Sequence, residues 1–75
     1  MPIKPEKLKA LRKHLGLSQQ GASDTALVPK RTWQNWETSK TNPNHRTMPE
    51  GMLELFCIKN KINYRIVDKK VLIEL

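Results

Sequence analysis

The spacing of apolar residues at the start of the chain predicts an amphipathic helix over about residues 5–15. Leu8, Leu11 and Leu15 recur at helical spacing, and lysines and arginines fill the positions between them. Gly16 follows the last apolar position and can adopt the left-handed conformation that ends many helices. The pattern therefore predicts a first helix with one apolar face and one basic face.

Two further short helices are predicted to follow with a sharp turn between them. Ser18 is suited to cap the second helix, because its hydroxyl can accept from the free backbone N–H groups of the first turn. Pro29 disfavours helix at the residue before it and can begin the third helix, predicted over about residues 29–38. Trp33 and Trp36 lie three positions apart, which puts both on one face, predicted to be core. The apolar positions of the second helix are Ala22, Ala26 and Leu27.

A polar loop and a fourth helix complete the helical part. Thr47 is the predicted cap, with Pro49 and Glu50 in the first turn, and the helix is expected to run to about Lys59. Its apolar content comes from Met48, Met52, Leu53, Leu55, Phe56 and Ile58.

The last fifteen residues change period and predict a β-hairpin. Apolar residues alternate with polar ones on either side of Asp68-Lys69, which is the predicted turn. We therefore divide one small domain into a helical part, residues 1–61, and a C-terminal β segment, residues 62–75. An isolated two-stranded hairpin is marginally stable in water, so a second copy of the chain is the predicted partner. The predicted dimerisation residues are Ile62, Tyr64, Ile66, Val71 and Ile73. The alternative is a hairpin that folds back on its own protomer.

The charge balance indicates a polyanionic partner. The 75 residues carry 14 Lys and Arg against 7 Asp and Glu, a formal net charge of +7. Such a basic small domain is typical of proteins that bind nucleic acid or a membrane surface. No apolar run reaches the length of a membrane-spanning helix and no secretory leader is evident, so we expect a cytoplasmic protein.

Candidate chemistry for catalysis or metal binding is absent from the sequence pattern. Cys57 cannot form an internal disulfide and lies between apolar neighbours, which predicts a buried thiol. His14 and His45 are isolated from any metal-ligand spacing. We therefore expect no enzyme activity, no catalytic residue, no metal, no cofactor and no small-molecule ligand.

Residues 17–40 carry a recognisable motif. The segments Leu17-Ser18-Gln19, Leu27-Val28 and Trp36-Glu37 stand at the mutual spacing of the helix-turn-helix of the Cro/CI-type repressors, the XRE family, which the chain resembles over about residues 6–60. It departs from the family pattern at Ser23, Leu27 and Pro29, where an alanine, a glycine and a serine or threonine are usual. Residues 31–37 also resemble the repressors that accompany anti-CRISPR genes in phages and plasmids, on a much shorter match.

The resemblance implies a mainly α, lambda-repressor-like bundle of four to five short helices, with helix 3 placed in the major groove of double-stranded DNA. It implies a transcriptional repressor that binds an inverted repeat as a homodimer. Independently, the exposed polar side chains of helix 3 are of the types that pair with base edges. The predicted base-reading residues are Lys30, Arg31, Thr32, Gln34 and Asn35. The predicted contacts to the DNA backbone are Gln19, Lys40, Asn42 and Arg46.

Two other interpretations of the basic charge remain open. An RNA-binding module would use exposed aromatic rings as stacking platforms, and of the four aromatic residues only Tyr64 is expected to be exposed. A protein-interaction adaptor, including an antitoxin-type partner, would use the C-terminal strands.

Glu37 is expected to pair with a basic side chain rather than to act chemically, and Arg12 is the candidate partner.

Overall fold

A computed structural model describes residues 3–74 as four short α-helices followed by an antiparallel hairpin. The helices are α1 (Pro5–His14), α2 (Gln19–Ala26), α3 (Lys30–Glu37) and α4 (Glu50–Lys59). The strands are β1 (Asn63–Val67) and β2 (Lys70–Glu74). The mainly helical class, the four helices and the C-terminal hairpin predicted above are confirmed. Met1, Pro2 and Leu75 lie outside the described residues.

The core forms where the helices cross. Trp33 is fully buried, and its ring centroid lies 5.5 Å from that of Trp36 and 5.0 Å from that of Phe56. Buried apolar residues from α1, α2 and α4 surround this aromatic cluster, so the predicted core role of both tryptophans is confirmed. Its other buried apolar members are Leu8, Leu11, Ala22, Ala26, Met48, Leu53, Cys57 and Val71.

Capping residues predicted from the sequence explain most of the observed helix ends. The Ser18 hydroxyl accepts a hydrogen bond from the Gly21 backbone N–H at 3.0 Å, which confirms the predicted cap of α2. Pro29 is the N-cap of α3, and α3 ends at Glu37. The predicted cap of α4 is wrong: Pro49, and not Thr47, precedes the first helical residue, because the backbone is still extended at Pro49, with φ of −61° and ψ of 143°.

Leu27 also differs from its predicted role. It was expected to be an apolar position within the second helix, but it ends α2 in the left-handed conformation with φ of 59° and is 81% exposed. The turn to α3 must reverse within three residues, and one residue with positive φ achieves this. Leu27 therefore occupies a conformation that glycine adopts at lower cost.

The hairpin packs against α4 through one of its two faces. Tyr64 pairs with Ile73 and Ile66 pairs with Val71, so all four side chains point to the same face. Val71 is buried in the core, and the Tyr64 hydroxyl donates to Glu54 of α4 at 2.9 Å. Asp68 and Lys69 both have positive φ, as the predicted two-residue turn requires.

The hairpin position corrects two expectations from the sequence. Tyr64 is half-buried rather than exposed, because its ring lies along α4. Val71 was predicted to contact a second copy, but its side chain is already 93% covered by its own protomer, at 7% exposure. Ile62, Tyr64 and Ile73 are partly buried against the same core, whereas Ile66 remains 52% exposed.

Candidate nucleic-acid interface

The exposed face of α3 brings together the polar residues singled out in the sequence. Trp33 and Trp36 point into the core, so the opposite face of this eight-residue helix is directed outward. Lys30, Arg31 and Gln34 are exposed, while Thr32 and Asn35 are half-buried at the sides of the helix. Five polar side chains thus surround the part of α3 that does not enter the core.

A buried ion pair joins α3 to α1. The Arg12 guanidinium donates to the Glu37 carboxylate through Nε at 2.6 Å and through Nη2 at 3.1 Å. Both side chains are largely buried, at 10% and 3% exposure, so each charge depends on the other for compensation. Arg12 Nη1 also donates to the Leu17 carbonyl at 2.9 Å, which fixes the chain between α1 and α2. The predicted partnership of Arg12 and Glu37 is confirmed.

The Glu37 carboxylate receives two further hydrogen bonds, one from within α3 and one from α2. The indole N–H of Trp33 donates to one oxygen, and the Gln19 side-chain amide donates to the other at 3.2 Å. Burial raises the pKa of Glu37, but the hydrogen bonds from Arg12, Trp33 and Gln19 outweigh burial and leave the pKa lowered. Glu37 is therefore an anion that ties α1, α2 and α3 together, and no part of it is free for chemistry.

Gln19 connects this buried network to the exposed surface. Its side-chain oxygen accepts from the Gln34 amide at 3.4 Å, a long bond at the exposed side of α3. The Gln19 side chain is thus engaged through both its nitrogen and its oxygen, and its backbone N–H lies in the first turn of α2, where helices leave such donors unpaired. Gln19 was predicted as a contact to the DNA backbone, and the structure places its side chain between Glu37 and Gln34, in a network that the sequence did not predict.

The loop between α3 and α4 holds the remaining predicted contacts. Lys40, Asn42 and Arg46 are all exposed. The Arg46 guanidinium donates to the carbonyls of Pro43 and His45, at 3.3 and 2.9 Å. These bonds fold Arg46 over its own loop, whereas the Arg46 backbone N–H donates to the Asn35 carbonyl at 3.1 Å and fastens the loop to α3.

His45 and Asn42 form hydrogen bonds that hold this loop in its conformation. A ring nitrogen of His45 lies 2.8 Å from the Thr38 carbonyl, just beyond the end of α3. The Asn42 side-chain oxygen accepts from the Asn44 backbone N–H at 2.8 Å, a turn typical of asparagine. The loop is consequently built to follow the end of α3 closely, with Lys40 exposed beside it.

Two further hydrogen bonds that hold the helices in place were not predicted from the sequence. Trp33 and Glu37 are four positions apart on one helix, and this spacing could have predicted their hydrogen bond. The contact from Lys59 Nζ to the Thr25 carbonyl, at 2.8 Å, joins α4 to α2 across 34 positions, and no local pattern signals it.

The described residues were also compared with the expectations about metal ligands, the cysteine and membrane spans. Between residues 3 and 74 there is no group of three or more histidine, cysteine or acidic side chains that could hold a metal ion. Burial raises the pKa of the Cys57 thiol, and the nearby Glu54 carboxylate raises it further, so the thiol stays protonated. In the same residues, no helix has the length and apolar content needed to cross a membrane.

Comparison with known proteins finds one similar segment. No protein-family model matches the chain. No solved structure matches it either. The type II methyltransferase M.MspI of Moraxella sp is 39% identical over 64 residues, which represent 83% of this chain and 14% of that enzyme. The chain therefore spans a small fraction of the length of this relative.

Proposed function

We propose that the protein is a sequence-specific DNA-binding regulator of the Cro/CI type, which inserts α3 into the major groove and acts as a repressor. The observation that carries this proposal is the exposed polar face of α3, held rigidly by the buried Glu37 network behind it. The three-residue connection between α2 and α3 fits a helix-turn-helix arrangement. Rigid support is what a base-reading helix needs, because its hydrogen bonds depend on position.

The side chains on α3 match the chemistry of base edges. Arg31 can donate in bidentate fashion to O6 and N7 of guanine, and Gln34 or Asn35 can pair with N6 and N7 of adenine. Thr32 can contact a thymine methyl, and Lys30 adds a positive charge at the start of the helix. The backbone contacts would come from Gln19 through its main-chain N–H, and from Lys40, Asn42 and Arg46 in the following loop.

The proposed regulator is not catalytic. The resemblance to a segment of a type II methyltransferase is compatible with a module that recurs inside a longer protein. The chemistry available in the described residues supports binding, and we propose no enzyme activity for them. The same proposal places the protein in the bacterial cytoplasm, acting without a cofactor on an inverted repeat as a homodimer.

The RNA-binding alternative is weakened by the position of the aromatic rings. Trp33, Trp36 and Phe56 are buried, and Tyr64 lies against α4 with its hydroxyl bonded to Glu54. Three of the four aromatic residues thus offer no stacking surface for an unpaired base, and the fourth, Tyr64, is only partly exposed.

The direct test is selection of bound duplexes from a random pool, followed by titration of the selected duplex with Arg31→Ala and Lys40→Ala. Arg31→Ala is expected to lose about 1–3 kcal/mol on the selected duplex and to relax the choice at one base position. Lys40→Ala is expected to weaken binding to all duplexes alike and to reduce the salt dependence by about one counterion. Lys69→Ala, in the hairpin turn, is the matched control for loss of one charge.

Equal losses on selected and random duplexes for Arg31→Ala would contradict base reading by α3. Recovery of no preferred duplex, with equal binding to RNA, would favour the RNA-binding alternative. If neither nucleic acid bound at moderate salt, the adaptor alternative would replace the proposal.

A further inference from the structure

His45 has one ring nitrogen bound by the protein and one that is not. Its Nδ1 lies 2.8 Å from the Thr38 carbonyl, just beyond the end of α3. A carbonyl oxygen can only accept, so Nδ1 carries the proton of this hydrogen bond. In the neutral ring the other nitrogen, Nε2, is then an unprotonated acceptor. The backbone of Thr38 therefore fixes the tautomer of the neutral His45 ring.

Nε2 of His45 is accessible from outside the protein. His45 is half-buried, and Nε2 makes no hydrogen bond within residues 3–74. Over the same residues, the buried side-chain atom that lacks a hydrogen-bond partner is an oxygen of Glu50, and no ring nitrogen is among such atoms. Nε2 is thus unpaired but not buried, and a group of a bound partner can reach it.

Arg46 brings a second donor group to the same loop. Its Nη1 donates to the carbonyls of His45 and Pro43, at 2.9 and 3.3 Å, which anchors the guanidinium beside the His45 backbone. Nε and Nη2 of Arg46 make no hydrogen bond with the described residues, so one edge of the guanidinium keeps its donors. Guanidinium edges of this kind bind phosphate oxygens, frequently through two parallel hydrogen bonds.

No acidic side chain of the described residues neutralises this loop. The ion pairs found there lie elsewhere, and neither includes His45 or Arg46. Glu37, next to Thr38 at the end of α3, is buried and already bound by partners from α1, α2 and α3. Glu50, at the start of α4, accepts from the backbone of β2. With Lys40 also exposed in the loop, the local charge is positive and is compensated best by an anion from outside.

The loop lies where the chain would leave the major groove in the proposed complex. Thr38 directly follows α3, and the Arg46 backbone N–H donates to the Asn35 carbonyl within α3. The eight residues of α3 make a helix about 12 Å long, and the major groove is about 12 Å wide. The chain beyond the end of such a helix therefore meets the phosphates that border the groove.

We propose that His45 contacts a phosphate of the DNA backbone through Nε2, and that the ring takes up one proton to do so. Phosphate oxygens accept, and Nε2 can donate only in the imidazolium form, because Nδ1 remains bound to Thr38. The proton comes from solvent, and the two ring N–H groups then donate to the Thr38 carbonyl and to the phosphate. This inference rests on the proposed DNA binding and adds to it a dependence of affinity on pH.

The coupling between binding and protonation has one direction. Because DNA binds the protonated ring, affinity is greatest in mild acid and decreases as the pH rises through the range, about 5 to 8, in which histidines lose their charge. Glu37 contributes little in this range, since its lowered pKa keeps it ionised. His14 is exposed on α1, and no described residue forms a hydrogen bond with its ring. It therefore provides a matched control.

The test is a titration of the selected duplex and of a random duplex at about pH 6 and about pH 8, at one salt concentration. The wild-type chain is expected to bind both duplexes about fivefold more weakly at the higher pH, because one charged contact to phosphate is lost. His45→Gln should bind equally at both pH values, as weakly as the wild-type chain does at the higher one. His14→Gln should keep the wild-type dependence on pH.

The outcomes separate this inference from the proposed function. An equal pH dependence of the wild-type chain and His45→Gln, with both bound to DNA, would overturn the role of His45 and leave the DNA-binding proposal standing. Absence of binding to either duplex at both pH values would reject the proposed function and this inference with it.

Nitrogen NMR of the His45 ring distinguishes a phosphate contact from a structural role in the loop. In the unbound protein, the neutral ring is expected to carry its proton on Nδ1. On saturation with duplex near neutral pH, both nitrogens should become protonated, which a role confined to the Thr38 hydrogen bond would not cause. A ring that stays neutral in the complex, or an unbound ring protonated on Nε2 alone, would contradict the proposal.

Discussion

The helical body, residues 5–59, and the hairpin, residues 63–74, are held by different kinds of interaction. Among the described residues, the buried apolar side chains of the core come from the helical body except for Val71. The hairpin is held by Val71, by two hydrogen bonds to acidic residues of α4, and by partly buried neighbours. The body is therefore stabilised by a continuous core, whereas the hairpin is attached at a few points.

This difference separates the proposed tasks of the two regions. A base-reading helix must not move relative to its support, and α3 is fixed by an aromatic core on one side and by the Glu37 network at its end. The hairpin instead leaves Ile66 and one strand edge exposed, as a surface that gains its remaining contacts on association does. Regions with few buried contacts also open most readily, so the hairpin is the part expected to respond first to perturbation.

The largest effect is expected in the core of the helical body. Trp33→Ala removes a fully buried ring that contacts both Trp36 and Phe56, and such truncations typically cost about 3–5 kcal/mol. A domain of this size has little more than that in total. The variant is expected to be largely unfolded at physiological temperature by far-UV circular dichroism. A native spectrum with an unchanged urea midpoint would show that the core is not centred on Trp33.

Loss of the charge on Glu37 is expected to be nearly as severe. Glu37→Gln leaves the buried Arg12 guanidinium without its counterion, and breaking buried pairs typically costs about 3–5 kcal/mol. Urea unfolding at neutral pH measures the cost. Replacement of both residues, Arg12→Met with Glu37→Leu, is expected to recover much of the loss, and a double variant as unstable as Glu37→Gln would contradict the ion-pair explanation.

The pH dependence of unfolding provides an independent test of Glu37. Its pKa is lower in the folded state, so its contribution is fully present above the carboxyl pKa of the unfolded chain. That contribution declines as the pH falls through the folded-state pKa. The wild-type chain should therefore lose stability in acid more steeply than Glu37→Gln, as urea unfolding across the acidic range would measure. Parallel pH profiles would show that the pKa is not lowered.

Detachment of the hairpin is expected to have a smaller and local effect. Glu50→Ala removes the acceptor for the Val71 N–H, and loss of one such hydrogen bond typically lowers the free energy of unfolding by about 1 kcal/mol. Hydrogen exchange should accelerate in β1 and β2 while α1 and α3 remain protected. Glu6→Ala, on the exposed side of α1, is a matched control for loss of a carboxylate in the first turn of a helix. Equal acceleration in helices and strands would mean that the two regions unfold as one unit.

The sequence predicted the elements better than it predicted their long-range connections. Periodicity identified the core tryptophans and the hairpin, because both follow from local spacing. Glu37 was predicted to pair with a basic side chain, with Arg12 as the candidate, and the structure has this pair. In contrast, the engagement of Gln19 by Glu37 depends on how α2 crosses α3, which no local pattern encodes. The exposed sites on α3 were predictable, whereas the hydrogen bonds that immobilise them were not.

Errors in the prediction occurred where one residue could satisfy two local rules. Thr47 is a good capping residue, but the backbone stays extended at Pro49 and α4 begins only at Glu50. Val71 fits both a dimer contact and a core position, and only the crossing of the hairpin over α4 decides between them. The exposure of Leu27 could be predicted only from the geometry of the turn, because an apolar side chain by itself favours burial.

The smallest effects on stability are expected from glycine substitutions at residues with positive φ, one in each region. Leu27→Gly should stabilise the helical body by up to about 1 kcal/mol. The left-handed conformation costs a leucine about 1–2 kcal/mol, but part of the gain is offset because glycine loses more backbone entropy on folding. Little is lost from packing, since Leu27 is 81% exposed. Lys69→Gly, with φ of 63° at the hairpin turn, relieves a similar cost within a different region. The urea midpoint should rise for Leu27→Gly, whereas Lys69→Gly should chiefly slow hydrogen exchange in β1 and β2. A rise in the urea midpoint of equal size for both variants would show that the hairpin contributes to the same cooperative unit as the helical body, and the contrast between the two regions would then be one of composition rather than of stability.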